Sequence, residues 1–424
     1  MSRERARDFR SLWFGQSVSL LGDHVSLFTL PTVALLTLHA SSLEVGALNA
    51  ATTIAYPVLG LFVGVWLNRV RLLPAMIVCD VLRVVAFASL PVAAAAGRLT
   101  LAQLFVVAVF AGACSVVFDI SYQSYVPTLL QGPALARGNS RMVASEAVAK
   151  FTGPGLGSGL LQFGGTVVGL SANALSYLAS IGGMARIRAR EAAPASSGRE
   201  ASAPDTTWRQ IADGARFLWR HEFLRPLAIS ACLRNLAMSA NRTVLLLLMY
   251  NALHLPAQTV GLVFTCGAAG SILGASLSGR VARRLGVGRT FLLTLTEGLI
   301  WLLAPLTLLV GAPAFVLMAL MFVSSLWLPI WNAASLTLRQ TVTGPELLRR
   351  VNATTRTVNL SSIPVGALLG GVAADLAGDA RGGLVVVLIA CTCGLTLVSA
   401  VQLLRSNIRG LRTYAIGPAA PDVA

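Results

Sequence analysis

Residues 11–37 read SLWFGQSVSLLGDHVSLFTLPTVALLT, a run of 27 in which Asp23 is the one formal charge. About 20 apolar residues suffice for a helix to cross a hydrocarbon core about 30 Å thick. The run is too long for a signal-peptide core and no small-residue cleavage site follows it, so it reads as a retained span. Eleven further stretches read the same way, at about 44–67, 73–96, 99–127, 141–163, 167–186, 226–250, 257–279, 288–310, 313–338, 353–375 and 383–404. The expected fold class is an all-α membrane protein of 12 transmembrane helices.

Composition agrees with this reading. Of 424 residues, 55% are apolar and 12% charged, about half of the roughly 25% charged residues a soluble domain carries. That excludes a soluble enzyme, a disordered chain and a secreted disulfide scaffold. The net charge of +16 invites a nucleic-acid reading until the charges are sorted by position. Of 33 basic residues, 26 flank the spans on one side and two, Arg98 and Arg381, on the other. Short loops rich in arginine stay in the cytoplasm. The expectation is a multi-pass protein of the inner (plasma) membrane with both termini cytoplasmic, bound to no nucleic acid. The six cysteines all fall within spans as small apolar filler, without metal-type spacing.

The largest polar interruption divides the chain into a six-helix bundle at 1–186, a linker at 187–225, a second bundle at 226–404 and a cytoplasmic tail at 405–424. Within the linker, Trp208, Ile211, Ala212, Ala215, Leu218 and Trp219 recur at helical spacing opposite Arg209, Asp213, Arg216 and Arg220, which describes an amphipathic helix on the membrane surface. The halves also echo each other at an offset near 213. GPALARGN at 132–139 answers GPELLRRVN at 344–352, and GPGLGS at 153–158 falls on GALLGG at 366–371. Repeats of six spans have parallel topology, giving two pseudo-symmetric bundles with a substrate site expected between them near the midplane.

At these residues the sequence resembles the major facilitator superfamily, and more narrowly its twelve-helix exporter branch of macrolide-efflux and enterobactin-exporter-like proteins. FRSLWFGQSVSLLGDHVSLFTLP at 9–31, DVLR at 80–83 and RFLWRHEFLR at 216–225 carry the narrower likeness. Two motifs carry the wider one. The family's loop between spans two and three, GxxxDRxxRR, is similar to Gly64, Asn68, Arg69 and Arg71 here, with Asn68 in place of the carboxylate. The resemblance implies a gating loop whose arginine latches onto an acid low in span four, for which Asp119 stands at a suitable depth. The antiporter motif of span five, GPxxGG, resembles Gly153, Pro154, Gly157 and Ser158. Independently of any family, glycines four apart let a neighbouring helix approach closely, and Pro154 removes a backbone donor and is expected to bend the helix.

Charges inside a membrane are costly and need an account. Asp80 and Arg83 are three apart, and Glu146 and Lys150 four apart, so each pair suits one helix face. Asp23 lies about 18 Å into span one by helical rise, near the midplane, and Glu297 holds a comparable depth in span nine. Arg234 and Arg242 lie in span seven, the repeat counterpart of span one, and are expected to supply counter-charges, with Arg234 facing Asp23. A carboxylate taken out of water holds its proton more readily, so Asp23 is the leading proton-coupling candidate and Glu297 the second. Gln16, Phe28, Tyr56, Tyr122, Trp327 and Trp331 are candidates for a cavity that binds a large amphipathic solute.

The sequence contains no GxxxxGK phosphate cradle, HExxH or GxSxG, and no enzyme is expected. The resulting expectation is a proton-coupled antiporter: a monomer that exports a small molecule such as a drug, antibiotic or siderophore, with the proton gradient as its energy source and no cofactor. An importer or facilitated carrier on the same fold, and a non-transporting receptor, are the alternatives.

Overall fold

The computed structural model describes residues 3–67, 70–130, 133–187, 215–343, 345–378, 381–406 and 408. Among the described residues the regular structure is entirely helical. The chain opens with α1 (Arg3–Leu36), whose 34 residues span about 51 Å at helical rise, so its arginine-bearing start projects beyond the hydrocarbon. Span two is broken in the middle. α2 (Ser42–Ala51) starts on a capping box, with Glu44 N donating to Ser41 Oγ and Ser41 N donating to the Glu44 carboxylate. It gives way to α3 (Ala55–Trp66) after Thr52 and Thr53, whose hydroxyls bond back to Asn49 O and Ala50 O and compete with helical continuation. Then come α4 (Leu72–Ala95) and α5 (Leu101–Leu129).

Spans five and six share α6 (Pro133–Ala185), which is divided at Gly165, where φ is 69° and ψ −173°. Glycine alone takes that conformation without strain. Pro154 sits within the continuous helical stretch before it, so the interruption of α6 falls eleven residues beyond the expected bend. α7 (Leu224–Leu247) runs into a π-helical turn at Leu248–Ala252, and α8 (Ala257–Leu285) follows. Span nine is assembled from α9 (Val287–Thr294), α10 (Thr296–Ile300), a 3-10 turn and α11 (Leu306–Leu309), span ten from α12 (Pro313–Ser325) and α13 (Trp327–Val342). α14 (Pro345–Ala377), α15 (Arg381–Ile389) and, after a π-helical turn, α16 (Leu395–Arg405) complete the chain.

Among the described residues nine helical stretches are long and apolar enough to cross a membrane. Dividing α6 at Gly165 adds a tenth. Span two falls short because it is broken into two short helices, and span seven because Arg234 and Arg242 dilute it, yet both are helical. All twelve expected spans are thus helices, and the chain is an all-α membrane protein. Large apolar side chains such as Phe62, Val85, Phe163, Phe315 and Leu376 lie exposed on its outside, where only lipid suits them.

The described residues form two compact units, those within 1–199 together with 255–265, and those within 200–254 together with those within 266–424. The first is built on α1 against α6, its most extensive helix contact, over a core that includes Phe9, Leu12, Phe118 and Tyr125. The second packs Leu227, Phe291, Trp331 and Leu338 in its core. Of the amphipathic linker helix, residues up to 214 lie outside the described residues, and 215–220 are helical. Leu218 there is buried in the second unit's core rather than turned to a membrane surface.

Candidate transport site

In the first unit the site begins with a stripe of small residues. Gly15, Ser19, Gly22 and Ser26 recur at spacings of four, three and four along α1 and are all buried, which lets α6 approach to backbone contact. A Cβ added to Gly22 would stand 2.0 Å from Ser176 Oγ, and one added to Gly15 would stand 3.0 Å from Ala179 O. The approach brings Asp23 onto Tyr177, whose hydroxyl donates to Asp23 Oδ1 at 2.5 Å. Asn173 Nδ2 donates to the same hydroxyl at 3.2 Å, and Ser176 Oγ donates to Asn173 Oδ1 at 3.0 Å.

Behind the Tyr177 ring lies Arg83 of α4, buried, its guanidinium 4.6 Å from the centroids of both Tyr177 and Phe118. Arg83 pairs with Asp80 at 2.6 Å, as their three-residue spacing requires, and reaches Ser115 Oγ at 3.4 Å. Four helices, α1, α4, α5 and α6, thus converge on one polar cluster in an apolar interior. A buried arginine between two aromatic faces and one carboxylate is held by cation–π attraction as well as charge. Glu146 and Lys150 are instead on an exposed face of α6.

The second unit repeats this plan with the signs exchanged. Arg234 of α7 is bound to Glu297 of α10, both nearly buried, and lies 5.3 Å from the centroid of Trp331. The sequence expectation set Arg234 against Asp23; the structure binds each within its own unit, Asp23 by Tyr177 and Arg234 by Glu297. Arg242 lies on the exposed side of α7 and Asn241 on the buried side. Beside this pair, Trp331, Ser335, Arg339, Thr355 and Asn359 face Leu227 across a cavity of about 40 Å³, room for two or three waters. Buried Ser335 Oγ and Asn359 Oδ1 have no protein partner there.

The motif residues divide. Gly153 and Gly157 of α6 pack on α1, where added Cβ atoms would stand 2.6 Å from His24 Cβ and 3.2 Å from Val25 O. Their repeat counterparts Gly366 and Gly370 of α14 pack on α7 at Leu236 and Ala240, so the internal repeat is a repeat of packing. Ser158 donates to Gly155 O at 2.8 Å and abuts Gly261. In the gating loop, Asn68 and Arg69 lie outside the described residues, Gly64 is helical in α3, and Arg71 is exposed at the start of α4. Asp119, expected as the latch acid, accepts a hydrogen bond from Tyr56.

The six cavity candidates are divided between the units, Gln16, Phe28, Tyr56 and Tyr122 in the first and Trp327 and Trp331 in the second. Trp331 lines the small cavity; Phe28 packs edge-on against Phe264, with centroids 6.2 Å apart, and Tyr122 stacks on Phe118 at 6.0 Å. Tyr56 belongs to Asp119. Gln16 Oε1, Tyr122 OH and Trp327 Nε1 are buried without a protein partner. The residues that sequence reasoning missed are Tyr177, Asn173 and Phe118. The small-residue stripe of α1 announces a close helix partner, but not which one.

The family model of the Major Facilitator Superfamily matches residues 12–240. No curated sequence matches the chain. Among solved structures, a bacterial homologue of the iron transporter ferroportin, in its inward-facing state, aligns with a TM-score of 0.74 at 18% identity, covering 96% of this chain and 100% of that one. The nucleoside transporter NupG aligns at 0.71 and 12% identity, covering 95% and 98%. A bacterial homologue of the human lysosomal transporter Spinster aligns at 0.67 and 12%, covering 95% of each. At such identities the likeness is one of fold.

Proposed function

The chain belongs to the major facilitator superfamily, and from that premise we propose that this membrane transporter exports a small molecule in exchange for protons by alternating access. The proposal includes a plasma-membrane location with cytoplasmic termini, a monomeric state and the proton gradient in place of any cofactor. The wide range of substrates among structures of this fold, from iron to nucleosides, leaves the solute to be read from this chain alone. Export rather than import rests on the resemblance of Gly153, Pro154, Gly157 and Ser158 to the antiporter motif and on the opening resemblance to the exporter branch.

One observation carries the coupling. Asp23 is held by a phenol, and among the described residues it makes no ion pair, while Glu297 is directly bound to Arg234. Neutralising Asp23 therefore breaks a hydrogen bond that a protonated carboxyl can remake with its own proton. Neutralising Glu297 strands a buried arginine, which costs far more. Asp23 is the proton carrier and Glu297 a partner that steadies the second unit. A proton on Asp23 also frees the Tyr177 hydroxyl, whose ring covers Arg83, so the charge state of α1 reaches α4 through one side chain.

The test is transport in vesicles carrying Asp23→Asn, using a panel of charged and uncharged amphiphilic solutes. Gradient-driven accumulation should disappear while solute counterflow persists. Undiminished gradient-driven accumulation in the variant would overturn the assignment.

A further inference from the structure

We propose that a groove between the start of α1 and the end of α6 is a binding site for the headgroup of an anionic phospholipid. The groove measures about 510 Å³ and is lined by Arg7, Arg10 and Phe14 from α1 and by Gly182, Gly183 and Arg186 from the end of α6. Arg7, Arg10 and Phe14 share one helix face by their spacing of three and four. Of the two acids near them on α1, Asp8 is buried, and Glu4 is exposed one turn before Arg7, outside the groove lining. All three arginines are exposed, and none is engaged in an ion pair with a described residue. Three guanidiniums around one concavity form an electropositive seat matched to a phosphate by charge and by fork geometry.

The floor of the groove favours a lipid over a free phosphate. Gly183 packs on Ser11 O, closing the helix crossing, while a Cβ at Gly182 would meet nothing within 4 Å. One turn below Arg10, Phe14 is 65% exposed and begins the apolar part of α1. The arginines therefore stand at the water boundary, with the exposed Phe14 ring and the open face of Gly182 beside them. That is the shape of an amphiphile with a negative head and an acyl chain. Basic pockets between transmembrane helices on the arginine-rich side recognise such headgroups, and this side is the one we propose is cytoplasmic. The lipid would bridge Arg7 and Arg10 of α1 to Arg186 of α6, clamping the same two helices that hold Asp23 against Tyr177.

Binding is measurable without any transported solute, so failure here and failure of the transport reading are distinguishable. The delipidated full-length protein is titrated with phosphatidylglycerol or with phosphatidylcholine, and bound lipid is counted by native mass spectrometry. Two variants are compared with the parent: the triple change R7Q/R10Q/R186Q, and Gly182→Phe, which fills the groove and leaves every charge in place. Phosphatidylglycerol should bind in preference, and each variant should weaken it at least about tenfold. Equal retention of both lipids would overturn the proposal, as would unchanged affinity in Gly182→Phe, which would reduce the effect to diffuse surface charge. Displacement of phosphatidylglycerol by an equal concentration of glycerol 3-phosphate would assign the seat to soluble phosphates instead.

Discussion

Tyr177 joins two charges that the sequence presents separately. Its hydroxyl holds Asp23 and its ring covers Arg83, so Tyr177→Phe removes the first contact and keeps the second. A lost hydrogen bond to a charged group costs about 1.5–3 kcal/mol; the variant should fold, with its melting point lowered accordingly. The pH profile of exchange should move relative to the parent, and in an Asp23→Asn background the same change should have no further effect. Additive effects of the two changes would deny their coupling. The Arg234–Glu297 pair makes the opposite case. Arg234→Gln leaves a buried carboxylate unpaired and should destabilise the protein by about 3–5 kcal/mol, while the added change Glu297→Gln should restore most of the loss in a thermal-shift assay. Asp23, Arg234 and Glu297 were each legible in the sequence because a charge in an apolar run stands out. Their partners were not, since Tyr177 is 154 residues from Asp23 and Glu297 is 63 from Arg234, and period and composition carry no information over such distances.

At the scale of elements, the glycines of the internal repeat do more than lower side-chain volume. Gly153 and Gly157 seat α6 on α1, and Gly366 and Gly370 seat α14 on α7, at positions offset by about the repeat length. In each unit this contact fixes the rotation of the helix bearing the site's charge. A Cβ at Gly366 would stand 2.3 Å from Leu236 O, a backbone atom with little freedom to yield, whereas one at Gly159 would meet nothing within 4 Å. Gly366→Ala should therefore cost about 1–3 kcal/mol through overpacking, and Gly159→Ala should be neutral or stabilise by up to about 1 kcal/mol through helix propensity. Equal melting points for the two variants would remove the close approach as the reason for the glycine. The spans themselves were legible, because hydrophobic length is a local property. The breaks were less so: Thr52 and Thr53 interrupt span two by bonding to their own backbone, and α6 leaves helical geometry at Gly165, which offers no side chain to read, rather than at the more conspicuous Pro154.

For the whole molecule, the distribution of arginine is the strongest statement the chain makes about its orientation. With 26 basic residues on one side of the spans and two on the other, insertion in the opposite sense would carry at least two dozen guanidiniums across a bilayer that resists each of them. Of the two exceptions, Arg98 follows a left-handed turn at Gly97, with φ of 66°, and is exposed between α4 and α5. The net charge thus has a topological cause and says little about partners, apart from the arginines that gather at the groove between α1 and α6. A direct check replaces the six native cysteines and introduces single ones at Arg98 and at Arg284, which is exposed at the end of α8. In intact cells a membrane-impermeant maleimide should label Arg98→Cys and spare Arg284→Cys, which should react only after permeabilisation. The reverse pattern would invert the protein and place the proposed lipid seat in the outer leaflet.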